Sequence, residues 1–257
     1  MQRGFIPAQN EEEQQLCRRI EDLAHTVSQR GIPRQTMFLS DREQALAQSV
    51  LHRAAPVSAV FDGGHADAER RVLCLAPTQE ELPPPAVICL QICTQYAGAP
   101  LTHRDYLGAL LGLSIKRGCI GDILCADEKT ASAFVADSVC KLIETELVEV
   151  GRSKVSVAPA EQDNIRLPQQ QNEEKSATVS SLRADAVLAA MLQCNRALAA
   201  QYITKQMVQI NHVITTSAHA DVYAGDIFTV RGKGKMRVCS IGGKSKKDRT
   251  FFTYTVY

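Results

Sequence analysis

The chain has 257 residues, 45% of them hydrophobic and 5% aromatic, no Trp, and a formal net charge of +1. That length accommodates two or three domains, and no apolar run approaches the ~20 residues that a bilayer span requires. The opening MQRGFIPAQNEEE lacks the apolar core of a secretory signal, so the expected location is the cytoplasm, without membrane contact.

The first region, 1–80, reads as α/β. Glu11 to Arg30 places Leu16, Ile20, Leu23 and Val27 on one helical face, and Gly31 and Pro33 end it. In SDREQALAQSVLHR, Ser40 and Glu43 have capping-box spacing for a second helix. VSAVF and RVLCLAP read as strands around the turn DGGHADAERR, and TQEELPPP, residues 78–85, marks a boundary.

The second region, 84–160, has another rhythm. AVICLQICTQY is a strand, LTHRDYLGALLGL a helix with Thr102 as N-cap and Asp105 at N3, and GDILCAD and TASAFVAD are strands. DSVCKLIETELVEV is an amphipathic helix and KVSVAPA a last strand. This βαββαβ order predicts a ferredoxin-like sandwich within an α+β chain. Its strands lack the exposed Phe and Tyr on which RNA-recognition modules stack bases.

Residues 161–177 are polar and Gln-rich and read as a linker. From 178 to 257, SSLRADAVLAAMLQ and NRALAAQYITKQ predict two helices, the first capped by Ser180 or Ser181. MVQIN, HADVYAGDIFTV, MRVCSI and TFFTYTVY predict strands. Charge is concentrated here. Residues 176–257 hold eleven Lys and Arg against four Asp and Glu, or +7, leaving 18 basic and 24 acidic residues, or −6, for 1–175. The stretch RGKGKMRVCSIGGKSKKDR alone carries eight basic residues and four glycines, and it reads as a mobile basic strip along a turn and a loop. Such asymmetry suggests a polyanion-binding module on an acidic body.

Several chemistries are excluded. GGKS resembles the end of a P-loop, but Val238 stands where the first glycine belongs; Arg237 likewise breaks the dinucleotide fingerprint begun by Gly232 and Gly234. The nine cysteines form no C-x-x-C pair and sit among apolar neighbours, so they read as reduced, small, buried hydrophobes. His103 and Asp105 read as residues of a helix start. No cofactor, metal or catalytic residue is expected. Ser181, Arg183, Asn195 and Arg196 fall near two helix N-termini, which favour phosphate.

The pattern S-L-R-A-D-x-V-L … N-R-x-x-A-x-x-x-I-x-x-x-x-V-x-I-N … V-x-x-G-D-I-F-x-V-R-G-x-G-K closely resembles the S-four RNA-binding domain, whose helical pair and hairpin are called the alpha-L motif. The match runs through Arg183, Asp185, Arg196, Ala199, Ile203, Val208, Asn211, Gly225, Asp226, Arg231, Gly232, Gly234 and Lys235. Asn195 stands where that family usually has Ser, and Gln206 where it usually has Gly. Upstream, LTHRDYLGALLGLSIKRGCIGDIL and GGHADAERRVLCLAP resemble the YlmH family, with GLSIKRG departing from its usual Gly-Ile-x-Arg-Glu. The resemblance implies a non-enzymatic RNA-binding protein, and a monomer is expected. It would engage rRNA and tRNA on large ribosomal subunits carrying stalled peptidyl-tRNA, in translation rescue and nascent-chain quality control.

The expected RNA-binding residues are therefore Ser181, Arg183, Asn195, Arg196, Lys205, Arg231, Lys233, Lys235, Arg237, Lys244 and Lys246. Two rivals are an RNA-modifying enzyme of pseudouridine-synthase type anchored by the S-four domain, and a cell-division adaptor.

Overall fold

The computed structural model describes residues 7–94, 100–160, 174–244 and 248–256. These divide into two compact units, one ending before and one beginning after residue 168. The chain is α+β, with six α-helices, one 3-10 turn and three sheets among the described residues.

The first unit opens with α1 (Glu11–Arg30), whose first N–H groups are capped by the Asn10 side chain and whose C-terminus turns at Gly31. A two-residue strand β1 (Arg34–Gln35), not visible in the sequence pattern, leads to α2 (Asp41–Leu51). Ser40 and Glu43 form the expected capping box: the Ser40 backbone N–H donates to Glu43 Oε2 at 2.6 Å. Strands β2 (Ser58–Asp62) and β3 (Val72–Ala76) complete a sheet of order β1-β3-β2. Every residue of β3 is buried. Leu73 and Leu75 pack with Ile20, Val27 and Val50 of the helices, while Val72 and Cys74 pack with Phe38 and Phe134. A strand covered on both faces is apolar throughout, which explains the run VLCLA.

The same unit continues with β4 (Val87–Thr94), α3 (His103–Gly112), β5 (Ile120–Cys125), β6 (Thr130–Ala136), α4 (Asp137–Glu146), β7 (Glu149–Val150) and β8 (Ser153–Pro159). The sheet order is β5-β6-β4-β8-β7, with all neighbours antiparallel. Tyr106 and Leu110 of α3 and Cys140 and Ile143 of α4 share a core with Leu90, Ile92, Ala133 and Val135. The opposite face is occupied around Phe134, which is 1% exposed and lies 4.6 Å, between ring centroids, from His65.

GGHADAERR, singled out as a turn, is the clasp between the two sheets of this unit. Asp122 on β5 accepts hydrogen bonds from the backbone N–H groups of Glu69 (2.7 Å) and Arg70 (3.0 Å) and lies 3.1 Å from His65 Nε2. Burial alone would raise the Asp122 carboxyl pKa, but these bonds and the His65 contact hold it below the usual carboxylate range. Thr102 and Asp105 serve as helix-start residues: Asp105 Oδ2 accepts from the Thr102 N–H and Oγ1–H, each at 2.7 Å.

The second unit holds β9 (Glu174–Val179), α5 (Ala184–Met191), α6 (Arg196–Thr204), β10 (Val208–Ile210), β11 (Val213–Ile214), β12 (Ile227–Val230), β13 (Gly234–Lys244) and β14 (Thr250–Val256). Its antiparallel sheet runs β11-β10-β12-β13-β14-β9. Val187, Leu188, Ala199 and Ile203 of the helices bury against Phe228, Met236, Val238, Phe252 and Tyr254 of one sheet face.

Two sequence expectations need correction here. The linker expected over 161–177 is a strand from Glu174 onward, pairing along β14 from Glu174↔Thr255 to Val179↔Thr250; residues 161–173 lie outside the described residues. Polar alternation concealed it, because β9 is an edge strand that buries only Val179 fully. Much of the basic strip is likewise strand, beyond the MRVCSI expected. Gly234–Lys244 is an eleven-residue strand in the sheet interior, entered from a hairpin turn at 231–233; residues 245–247 lie outside the described residues.

Candidate nucleic-acid interface

The two helices of the second unit begin side by side around one carboxylate. Asp185, in the first turn of α5, has a side chain only 6% exposed. It accepts Arg196 Nε at 2.9 Å on Oδ2 and Arg196 Nη2 at 3.2 Å on Oδ1. It also accepts Arg183 Nε at 3.3 Å and Arg183 Nη2 at 3.1 Å. Burial by itself would raise the Asp185 pKa; the hydrogen bonds and charges of Arg196 and Arg183 outweigh it and hold the carboxyl below its usual range. The same pairing raises the pKa of Arg196. The cluster keeps a net charge of +1.

Each guanidinium spends its Nε/Nη2 edge on Asp185 and leaves Nη1 for another acceptor. Arg183 and Arg196 side chains are 33% and 48% exposed. Long cations that would otherwise sample many rotamers are thus fixed, which lowers the entropy lost when they engage an anion. Arg183 Nη2 also meets His219 Nδ1, which the sequence did not single out.

The helix starts differ from the expectation of open N-termini. The N-cap of α5 is Arg183, not Ser180 or Ser181. The Ala184 and Asp185 N–H groups donate to the Ala220 and Ala218 carbonyls at 2.8 and 3.0 Å, because the chain at 218–222 folds back over 182–185. At α6, Asn195 Oδ1 accepts from the Leu198 N–H at 2.8 Å, so Asn195 serves as the cap. Ser181 is half-buried just before this cluster.

A second basic group lies at the other end of α6. Lys205 is its C-cap, and Gln206 follows at φ 56°, the left-handed turn for which the resemblance implied glycine. The Arg231 N–H donates to the Met207 carbonyl at 2.9 Å, holding the hairpin turn with Arg231 and Lys233 beside this helix end. Helix α6 has nine residues, which at about 1.5 Å each separates the two groups by roughly 13 Å.

Lys235 and Arg237 alternate on β13 with buried Met236 and Val238, so they stand on the sheet face away from the helices. Lys244, at the far end of β13, pairs with Asp248 at 2.7 Å. Lys246 lies outside the described residues. The site residues thus form an arginine cluster, a hairpin-end group and a line along one strand.

Asn211 and Asp226 explain other positions of the pattern structurally. Asn211, at φ 50°, donates through Nδ2 to Asp226 Oδ1 at 2.7 Å and accepts from the Ile227 N–H at 2.9 Å. This ties the β10–β11 turn to β12. Among the described residues, no group of three or more His, Cys, Asp or Glu side chains is placed to hold a metal ion.

The two units therefore make an α+β protein with a clustered-arginine surface on a basic second unit. A family model described as "YlmH, N-terminal" matches residues 12–80, and one described as "Putative RNA-binding domain in YlmH" matches residues 87–164. A relative in Bacillus subtilis (strain 168), "Ribosome-associated protein quality control protein P2", is 31% identical over 222 residues, 85% of each chain. The solved structure titled "Cell division protein ylmH from Streptococcus pneumoniae" shares the fold, with TM-score 0.50 and 21% identity over 62% of this chain and 96% of that one. The chain belongs to the YlmH family. The RNA-binding description falls on the middle region, whereas every RNA-binding residue expected from the sequence lies after it.

Proposed function

We propose that this chain is a non-enzymatic RNA-binding protein of ribosome-associated quality control, engaging rRNA and tRNA on large ribosomal subunits during translation rescue. One observation carries the reading: two guanidiniums locked by one buried carboxylate at the paired helix starts of the basic unit. Preorganised arginines suit phosphate recognition, since the Nη1 groups that Asp185 leaves over offer charge-assisted donors from fixed positions. The relative's printed name supports the ribosomal setting. The second unit, 178–257 with β9 added, is read as the S-four domain with its alpha-L motif, and residues 84–160 as a ferredoxin-like domain. The sheet order β5-β6-β4-β8 supports the latter, since it places the first and third strands of a split βαβ side by side at the centre. Around Phe134 the helix-free face of that sheet is taken by the N-terminal region, so middle-region RNA contacts would come from elsewhere on its surface. The working form is a monomer in the cytoplasm.

The test is titration of the purified protein against large ribosomal subunits. Arg183→Ala and Arg196→Ala should each weaken binding about tenfold or more, and Arg→Lys should restore only part. Unchanged affinity in both alanine variants sinks this reading of the interface.

A further inference from the structure

A groove of about 420 Å³ opens in the second unit beside the arginine cluster, within the roughly 300–1,000 Å³ typical of small-ligand sites. Its apolar wall consists of Ala186, Ala189 and Ala190 on α5 and Val179 on β9. Arg196 and Arg249 both line it. Both are held in place: Arg196 by Asp185, and Arg249 by Thr178, whose Oγ1 and carbonyl accept its Nε and Nη2 at 3.1 and 2.6 Å. Ser180 and Gln193 add hydrogen-bonding groups. Arg249 belongs to the basic stretch, but the cluster described above does not use it.

A wall of methyl groups with two fixed guanidinium planes and a few uncharged polar groups suits a flat heterocycle joined to a phosphate. A paired stem offers phosphates but keeps its bases stacked inside. An unpaired nucleotide offers both, and single-stranded RNA elements are read by such stacking, Arg planes included. Resting on the RNA-binding reading above, we infer that this groove takes one unpaired nucleotide extruded from structured RNA, with Arg249 and Arg196 at its phosphate and base plane.

The experiment compares the full chain's affinity for an RNA hairpin with one bulged adenosine and for the same hairpin without it, at fixed salt. The wild type should prefer the bulged hairpin by about fivefold or more, the contribution of stacking one base. Ala190→Leu, which fills the groove, and Arg249→Gln should each remove that preference while leaving the plain hairpin bound as before. Thermal melting checks the folding of Ala190→Leu; if that variant is unfolded, Arg249→Gln decides. Equal affinity of the wild type for both hairpins, or a preference that survives in the folded variants, overturns the inference and leaves the RNA-binding reading standing. Binding of neither hairpin overturns both.

Discussion

Asp185 shows how a single residue organises the proposed interface. Its folded pKa is depressed, so its pairing contributes stability in full above the unfolded carboxylate value of about 3.9, and that contribution is lost as pH falls through the lower folded value. Asp185→Asn should cost about 1.5–3 kcal/mol near neutrality, in line with hydrogen bonds to charged groups. Urea midpoints between about pH 3 and 7 should show wild type and variant converging on the acid side; a constant gap would deny the linkage. The cysteines test the core from another direction. Three are buried, five half-buried, and Cys239 is exposed, so the expectation of nine buried hydrophobes holds only in part. Burial pushes the Cys89 thiol to about 11, and burial with Glu144 nearby does the same for Cys140. Alkylation of the native protein, read by mass spectrometry, should mark Cys239 first and the buried Cys74, Cys119 and Cys140 last.

At the scale of elements, β9 changes where the second unit can be cut. A fragment beginning at 178, where the sequence placed the domain start, leaves four of the six β9 residues behind and exposes most of the β14 edge that β9 covers. Exposed strand edges invite intermolecular pairing. A fragment beginning near 170 should stay monomeric, while one beginning at 178 should melt lower and associate in sedimentation velocity runs; identical behaviour would mean that β9 contributes nothing. The clasp of the first unit is equally specific. Gly64 sits at φ 90°, and a Cβ there would lie 2.8 Å from Phe134 Cδ1. Gly64→Ala should therefore destabilise that unit by about 2–4 kcal/mol, from backbone strain together with overpacking.

For the whole molecule, the relevant quantity is where charge sits on a rigid frame. Strand β13 carries Lys244 roughly 30 Å from the hairpin turn, at about 3.3 Å per residue. Lys235, Arg237 and Lys244 are therefore fixed along a strand and do not act as one mobile strip. If about five phosphates are neutralised, log K should fall with log salt at a slope of roughly −3.5 to −4.5. Removing Arg231 and Lys233 together should flatten that slope by about 1.5, whereas Lys244→Ala should change it little, since Asp248 already offsets its charge. Equal effects at both ends of β13 would return the mobile-strip reading. Titrating 1–160 and 170–257 separately against large subunits should give the larger share of affinity to the basic fragment. Comparable affinity in 1–160 would place the main RNA contact in the region that the family model describes.

The sequence by itself determined most of what is local. Helix α1, the Ser40 capping box, the Thr102–Asp105 helix start and the βαββαβ order all follow from spacings of three and four or from alternation, which neighbouring residues impose on one another. It also determined the +7 of the last region, because charge is additive along a chain. Tertiary structure alone decided what depends on partners distant in sequence. Glu174 to Val179 becomes a strand because β14 offers it hydrogen bonds. The first N–H groups of α5 are satisfied by 218–222 and not by Ser181. Asp122 clasps a loop more than fifty residues earlier in the chain. Arg183 and Arg196 become one site because Asp185, buried between them, bonds both, and no periodicity encodes that a carboxylate will be shared.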